Sequence, residues 1–375
     1  MKWSWKLVTI RGIEIKVHVT FLLVLVWGAM IWGSGGLSGA IYGTFLTLTV
    51  FVFVVLHELG HAVAAQRYGI PVHDILLLPI GGLARLSRMP EKPSQELVVS
   101  LAGPAVNLVL ILALLPFVGV GLAMQVAQGG NLSLPATMTP GLLNLATFLL
   151  MTNVTLLLFN MIPAFPLDGG RVLRALLSMR LSSATATRLA ASIGKVFALI
   201  FGMVALLSGN VSLAMIAFFV FFGAGAEGQE ATMREMLRGV TVAEAVDATA
   251  PTLSADAPAH LAFDRLMRSP HGALAVLDHD GGAFLGIVTR SGMQRQWAAG
   301  VRGEVGAFTE QPSLVMRGEA TLDAARRDMV EAGTTIAAVF IQGCFAGLLD
   351  FEAIRRALTM RRRGDLTPRS TSASG

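Results

Sequence analysis

Three long stretches of the chain are almost free of charge. Residues 17–66 contain a single Asp, Glu, Lys or Arg, which is Glu58, while residues 97–167 and 196–226 contain none. A helix that crosses the hydrocarbon core of a bilayer needs about 20 predominantly apolar residues, which leaves room for about six crossings. They are predicted at 18–34, 43–66, 97–122, 142–167, 189–208 and 211–226. Only Ser208, Gly209 and Asn210 separate the last two, so these should form a tight helical hairpin. Between the second and third, residues 71–87 read as short apolar strands around Pro79-Ile80-Gly81-Gly82, the signal of a small membrane-associated β-hairpin, or else of a loop dipping into the interface. From Glu227 onward the pattern changes to mixed charge and short alternating runs. The expected fold is therefore a polytopic α-helical membrane domain, 1–226, then a linker, 227–239, and a soluble α/β region beyond it.

Composition agrees: of 375 residues 54% are hydrophobic and 14% charged, which excludes an ordinary soluble enzyme. Charge then sets the orientation, because short loops rich in Lys and Arg stay in the cytoplasm. Lys2, Lys6, Arg11 and Lys16 precede the first span; Arg67, Arg85, Arg88 and Lys92 follow the second; Arg171, Arg174, Arg180, Arg188 and Lys195 follow the fourth. The intervening connections, 33–42, 124–140 and 208–212, hold neither Lys nor Arg. Both termini are thus expected in the cytoplasm, with the chain in the cell membrane and its first span uncleaved. The net charge of +5 belongs to these flanking segments and gives no reason to invoke nucleic acid. The single cysteine, Cys344, cannot form an internal disulfide.

Candidate chemistry centres on His57-Glu58-Leu59-Gly60-His61. Residues four apart share a helix face, so His57 and His61 can offer their imidazoles to one metal ion while Glu58 serves as general base toward a water. An ionised carboxylate is costly at hydrocarbon depth, which makes the lone Glu58 a functional candidate, the alternative being a Glu paired with a neighbouring His in a polar helix contact. A catalytic zinc usually has three protein ligands, and two imidazoles with one carboxylate favour zinc. The best third candidate is Asp168, in Asn160-Met161-Ile162-Pro163-Ala164-Phe165-Pro166-Leu167-Asp168-Gly169-Gly170-Arg171. Prolines break helical hydrogen bonding there, and irregular backbone at membrane depth must be covered by protein or line a polar cavity. The other reading of Asp168 is a helix-end acid paired with Arg171 or Arg174.

These residues resemble the site-2 protease family of intramembrane zinc metalloproteases, in particular its bacterial and archaeal branch with C-terminal CBS domains. The HELGH helix is similar to the family's zinc helix and Pro166-Leu167-Asp168-Gly169-Gly170 to its third-ligand segment. The resemblance implies Asp168 as a ligand, one zinc per subunit, and hydrolysis of peptide bonds within or beside the transmembrane segments of other membrane proteins. Ala102-Gly103-Pro104-Ala105-Val106-Asn107 matches a further family motif, where Asn107 is a candidate either to hydrogen-bond the scissile carbonyl or its oxyanion, or to join helices. Asn160 is a candidate to orient a ligand. His18 and His73 lie at the edges of apolar segments and read as interfacial residues.

Beyond Gly239 the chain repeats at about sixty residues, with strands alternating with helices. Helices at 259–267, 322–331 and 351–358 and strands at 273–277, 283–288, 336–341 and 344–349 resemble a tandem pair of CBS modules over 240–360. Such pairs often bind adenine nucleotides, yet Gly292 and Ala353 stand where the family places a ribose-binding acid. A homodimer interface or substrate-docking module is the competing expectation. The tail, 361–375, reads as disordered, with Arg355, Arg356 and Arg361 to Arg363 forming a basic cluster. A CBS-regulated transporter would explain the membrane core, but gives no reason for the HELGH spacing beside a Pro-interrupted Asp segment.

Overall fold

In the computed structural model the described residues are 3–79, 81–86, 90, 92–128, 141–247, 250–269, 272–278 and 282–363, and they fall into two units, 1–231 and 232–375. The first unit joins a small sheet to a set of apolar helices. Its strands β1 (Ser4–Ile10) and β2 (Ile13–His18) form a hairpin closed by Arg11 and Gly12, both at positive φ. Strand β3 (Val72–Leu78) runs parallel to β2, and β4 (Gly81–Leu86) returns antiparallel beside β3, giving the order β1-β2-β3-β4. The expected hairpin at 71–87 is therefore half of a four-stranded sheet, in which Ile80 and Ser87 lie outside the described residues. The alternation that places Ile13, Ile15 and Val17 inward was present in the basic N-terminal segment. Its lysines masked it.

Helix α1 (Phe21–Trp32) has only 12 residues, so the first expected span, 18–34, is corrected: at 1.5 Å per residue it covers about 18 Å, short of a bilayer core of about 30 Å. Phe21 meets Phe51 of α2 (Gly36–Arg67) edge to face, with ring centroids 4.6 Å apart, while Ile13, Val17, Ile75 and Leu77 pack in one cluster with Ala62 and Ala65 further along α2. Helix α1 thus covers the first half of α2, and the sheet covers the second half, which carries the histidines. Among the described residues five helices are long and apolar enough to cross a membrane: α2, α3 (Pro93–Ala127), α4 (Leu142–Asn160), α6 (Ser183–Ser208) and α7 (Val211–Leu237).

The expected fourth span, 142–167, also needs correction, since α4 stops at Asn160 and a new helix, α5 (Asp168–Ser178), starts at the candidate ligand. Pro163 and Pro166 have no N–H for a helical ladder, so residues 161–167 turn back in short bonds such as Leu167 N to Ala164 O, 3.0 Å. Ala164 and Phe165 are fully buried against Ala198 and Val220, and against Ala190 and Ala224, so protein covers this irregular backbone. The first turn of α5 lies on the connector itself. A Cβ at Gly170 would stand 2.6 Å from the Ala164 carbonyl carbon and the Phe165 nitrogen. The expected hairpin of the last two spans is present: Gly209 ends α6 in the left-handed region at φ 65° and Asn210 Oδ1 accepts from Leu213 N at 3.0 Å. Helix α7 continues through 227–237.

Asp74 is the polar anchor of the sheet. It is 1% exposed, accepts from Lys16 Nζ at 2.9 Å and is gripped by the Arg85 guanidinium. Burial pushes its carboxyl up, but Arg85 and Lys16, the latter shared with Glu14, outweigh burial and hold it below its ordinary value of 3.8. A depressed carboxylate stabilises the fold fully above that unfolded-state value and loses the contribution as pH falls through the lower folded-state one. Asp74→Asn is expected to melt below wild type at neutral pH, and the gap should close only under acid conditions below 3.8. Thermal melts of the two proteins across pH check this; a gap that persists at the acid end would refute it.

The second unit contains two modules of matching order. One holds β5 (Thr252–Ser254), α9 (Ala259–Arg268), β6 (Ala273–Leu277), β7 (Phe284–Thr289) and α10 (Arg290–Ala298), following a short helix α8 (Val242–Ala245). The other holds β8 (Val315–Arg317), α11 (Leu322–Glu331), β9 (Ile336–Ile341), β10 (Cys344–Asp350) and α12 (Phe351–Arg363). Each sheet pairs its first strand parallel and its last antiparallel to the middle one. Both three-residue strands escaped prediction because three residues carry no alternation. Phe308, Leu322 and Met329 are wholly buried, and a side chain of this size stabilises such a core by about 1.5–3 kcal/mol. Of the expected tail, 364–375 lies outside the described residues.

Candidate active site

Three side chains from two helices converge on one point. His57 and His61 sit four residues apart on α2 with ring centroids 4.8 Å apart, and their Nε2 atoms are 3.1 Å from each other. Asp168, the first residue of α5, brings Oδ2 to 3.1 Å from each Nε2. All three residues are buried. Asp168 thus meets the histidines and neither Arg171 nor Arg174, and Arg174 pairs instead with Glu96.

The remaining ring nitrogens determine what this triangle can hold. His61 Nδ1 lies 2.7 Å from the Val99 carbonyl, which can only accept, so His61 donates from Nδ1 and its Nε2 is a bare lone pair. The same holds for His57 through a longer chain. Asn153 Nδ2 donates to the Leu149 carbonyl at 2.8 Å, Asn107 Nδ2 donates to Asn153 Oδ1 at 3.0 Å, and His57 Nδ1 therefore donates to Asn107 Oδ1 at 2.5 Å. Two nitrogen lone pairs and a carboxylate oxygen then face one another with no proton assigned between them, an arrangement that a cation stabilises. Ligand atoms arranged tetrahedrally at about 2.0–2.1 Å from zinc stand roughly 3.3 Å apart, close to the observed triangle. The residues fit a zinc ion, and their outer hydrogen bonds are those expected of metal-binding histidines.

A family model, peptidase family M50, matches residues 45–201. Zinc metalloprotease MJ0392 of Methanocaldococcus jannaschii is 32% identical over 315 residues, 84% of this chain and 85% of that protein. The chain belongs to the site-2 protease family. It is an intramembrane zinc metalloprotease. A solved site-2 protease from Methanocaldococcus jannaschii is 39% identical and covers 60% of this chain and 95% of that one, at a TM-score of 0.43. CBSX2 in complex with AMP, at 19% identity, covers 33% of this chain and 98% of that one, at a TM-score of 0.29.

In this member of the family, Glu58 follows His57 on α2 and lies against the sheet rather than in the triangle. A Cβ at Gly82 of β4 would stand 2.5 Å from Glu58 Cγ and 3.2 Å from Oε1. Gly103 fills the corresponding place beside His61, since any side chain there would run into the imidazole. Asn107 is fully buried with its amide nitrogen committed to Asn153, and its oxygen faces His57. These two bonds join α3 to α2 and to α4 and put the amide behind a histidine. Asn160 is half-buried at the end of α4, and no hydrogen bond described joins it to the cluster. Asn153, two turns earlier, makes the link to Asn107. The signal for it was available, an amide in the middle of an apolar span with no solvent to satisfy it. His18 bonds Thr20 and His73 is exposed, so neither reaches the site.

Proposed function

We propose that one zinc ion per chain, held by His57, His61 and Asp168, serves Glu58-assisted hydrolysis of peptide bonds in or next to transmembrane segments of other membrane proteins. The observation that carries this reading is the closed triangle of lone pairs, two of them on a membrane-length helix, with a carboxylate outside the triangle one residue from His57. Held by these three residues, zinc would supply a Lewis acid to polarise the scissile carbonyl and to lower the pKa of a water. Glu58 takes the proton from the attacking water and afterwards delivers it to the leaving amine. The Nδ1–H bonds to Asn107 and Val99 hold both rings in the ligating tautomer while this happens.

A helical substrate presents carbonyls that are shielded and already hydrogen-bonded, so it must be held extended to be cut. The terminal strand β4 supports this requirement: its outer edge can pair with an extended chain, as in β-augmentation, and Gly82 puts that edge beside Glu58. The orientation we assign follows the Lys and Arg distribution, with both termini in the cytoplasm and the protein multi-pass in the cell membrane. The CBS-like pair is assigned a regulatory or docking role, through self-association or through an adenine nucleotide. At Gly292 an added Cβ would lie 3.0 Å from both carboxylate oxygens of Glu310, so an acid already occupies the space in front of it. Melting in the presence of AMP or ATP, set beside mass against protein concentration, separates the two roles.

The deciding experiment uses the full chain in lipid vesicles with a single-span substrate. Cleavage is expected to stop on chelation and to return at one zinc per chain. Cleavage that survives complete metal removal, or ion flux with no cleavage, would overturn the proposal.

A further inference from the structure

We infer that the buried ion pair Glu96–Arg174 is a positioning device for the metal centre, locking the helix that begins at Asp168 to the part of α3 that orients both histidines. The inference rests on the three-ligand reading above. Glu96 lies in the first turn of α3 and is 7% exposed; Arg174, six residues after Asp168 on α5, is 8% exposed. Arg174 Nε donates to Glu96 Oε1 at 2.6 Å, and Nη2 reaches the same oxygen. The other side of the guanidinium faces Phe165, 5.6 Å from the ring centroid. Phe165 is fully buried in the connector three residues before Asp168. Arg174 therefore touches the frame helix on one side and the segment leading into the ligand on the other.

Helix α3 is the common frame. One turn after Glu96, the Val99 carbonyl accepts a hydrogen bond from His61 Nδ1; Gly103 follows against the His61 ring, and Asn107 Oδ1 accepts from His57 Nδ1. Both histidines thus take their orientation from α3, whereas Asp168 belongs to α5, an 11-residue helix with no side-chain cap at its start. Its place along the helix axis depends on what α5 grips. Ligand distances tolerate only about 0.2 Å, so a small slide of α5 along α3 would spoil the site. An apolar contact would fill the same space with at least equal stability, because burying two charges costs about as much as their attraction returns. What the pair adds is direction: the planar guanidinium fork fixes one register of α5 against α3, which a sliding apolar contact does not.

The test compares metal binding by full-length variants in detergent. Glu96→Gln with Arg174→Met removes both charges together and leaves no unpaired ion. Arg174→Lys keeps the charge and loses the fork, and Asp168→Ala serves as the reference for a lost ligand. Zinc affinity is read by competition with a chelating dye, the ligand field from the visible bands of the cobalt-substituted protein, and the fold from circular dichroism. The double variant is expected to keep its helix content, to bind zinc about 10–100-fold more weakly and to show shifted cobalt bands, with Arg174→Lys between it and wild type. A double variant that binds zinc within about twofold of wild type with unchanged bands would overturn the inference, even if it melts earlier, since the pair would then be only a clamp on the fold. Should the double variant fail to fold, Arg174→Lys decides alone by the same criterion. Undiminished affinity in Asp168→Ala would instead bring down the ligand assignment itself.

Discussion

Glu58→Gln is expected to slow cleavage of a single-span substrate by about 10²–10⁴-fold while the protein keeps its full complement of zinc. The substitution is close to isosteric, so the packing of the side chain against Gly82 survives, as does the helix that carries both histidines. What it removes is a group able to take a proton and return it. Glu58 is outside the triangle of His57, His61 and Asp168, so the metal should stay. Single-turnover cleavage in vesicles, measured alongside zinc content on the same samples, separates the roles. Wild-type cleavage by the glutamine variant would rule out the proton-transfer role. Loss of zinc together with activity would instead make Glu58 a ligand.

The part of the site that lies on one helix was legible because its geometry is local: a spacing of four on α2 places His57 and His61 together whatever surrounds them. Asp168 was legible for a different reason, since two prolines and two glycines announced a break in a span where breaks are costly. Its partner was decided only by the family resemblance, since the residues alone left two readings open. Nothing in the chain ties residue 57 to residue 168, and only the packing of α5 on α3 chose the histidines over Arg171 and Arg174 as its neighbours. The same limit hid Asn153, because three amides lay within reach of the site by sequence and their hydrogen-bond chain is a tertiary fact. In the fold, hydropathy found the long helices but overstated the first, because a window average cannot tell an apolar helix of 12 residues from a full span. The strand pattern of Ile13, Ile15 and Val17 was regular, but the surrounding lysines drew attention to charge. In the second unit the longer strands and helices appeared close to their expected limits, the strands as short continuous apolar runs that are buried along most of their length and the helices through one buried face.

Asp168→Ala is expected to abolish measurable cleavage and to weaken zinc binding by at least about 10²-fold, beyond the loss that outer hydrogen bonds alone produce. The reasoning lies in the tautomers. With both Nδ1 protons committed to Asn107 and Val99, the imidazoles reach the centre as neutral ligands, and Asp168 is the one member of the triangle that brings negative charge. In a water-poor site a divalent ion held by two neutral nitrogens alone is poorly compensated. Asp168→Asn probes this directly, because it preserves shape and oxygen donor while removing the charge, and its affinity should fall nearer to the alanine variant than to wild type. An asparagine variant with wild-type affinity would show that geometry rather than charge sets the strength of the site. An alanine variant that retains both zinc and cleavage would place the third ligand elsewhere. The helix content of each variant must match wild type for these comparisons to hold, and the glycines that seat α5 on its connector, untouched by either change, give the physical reason to expect that it will.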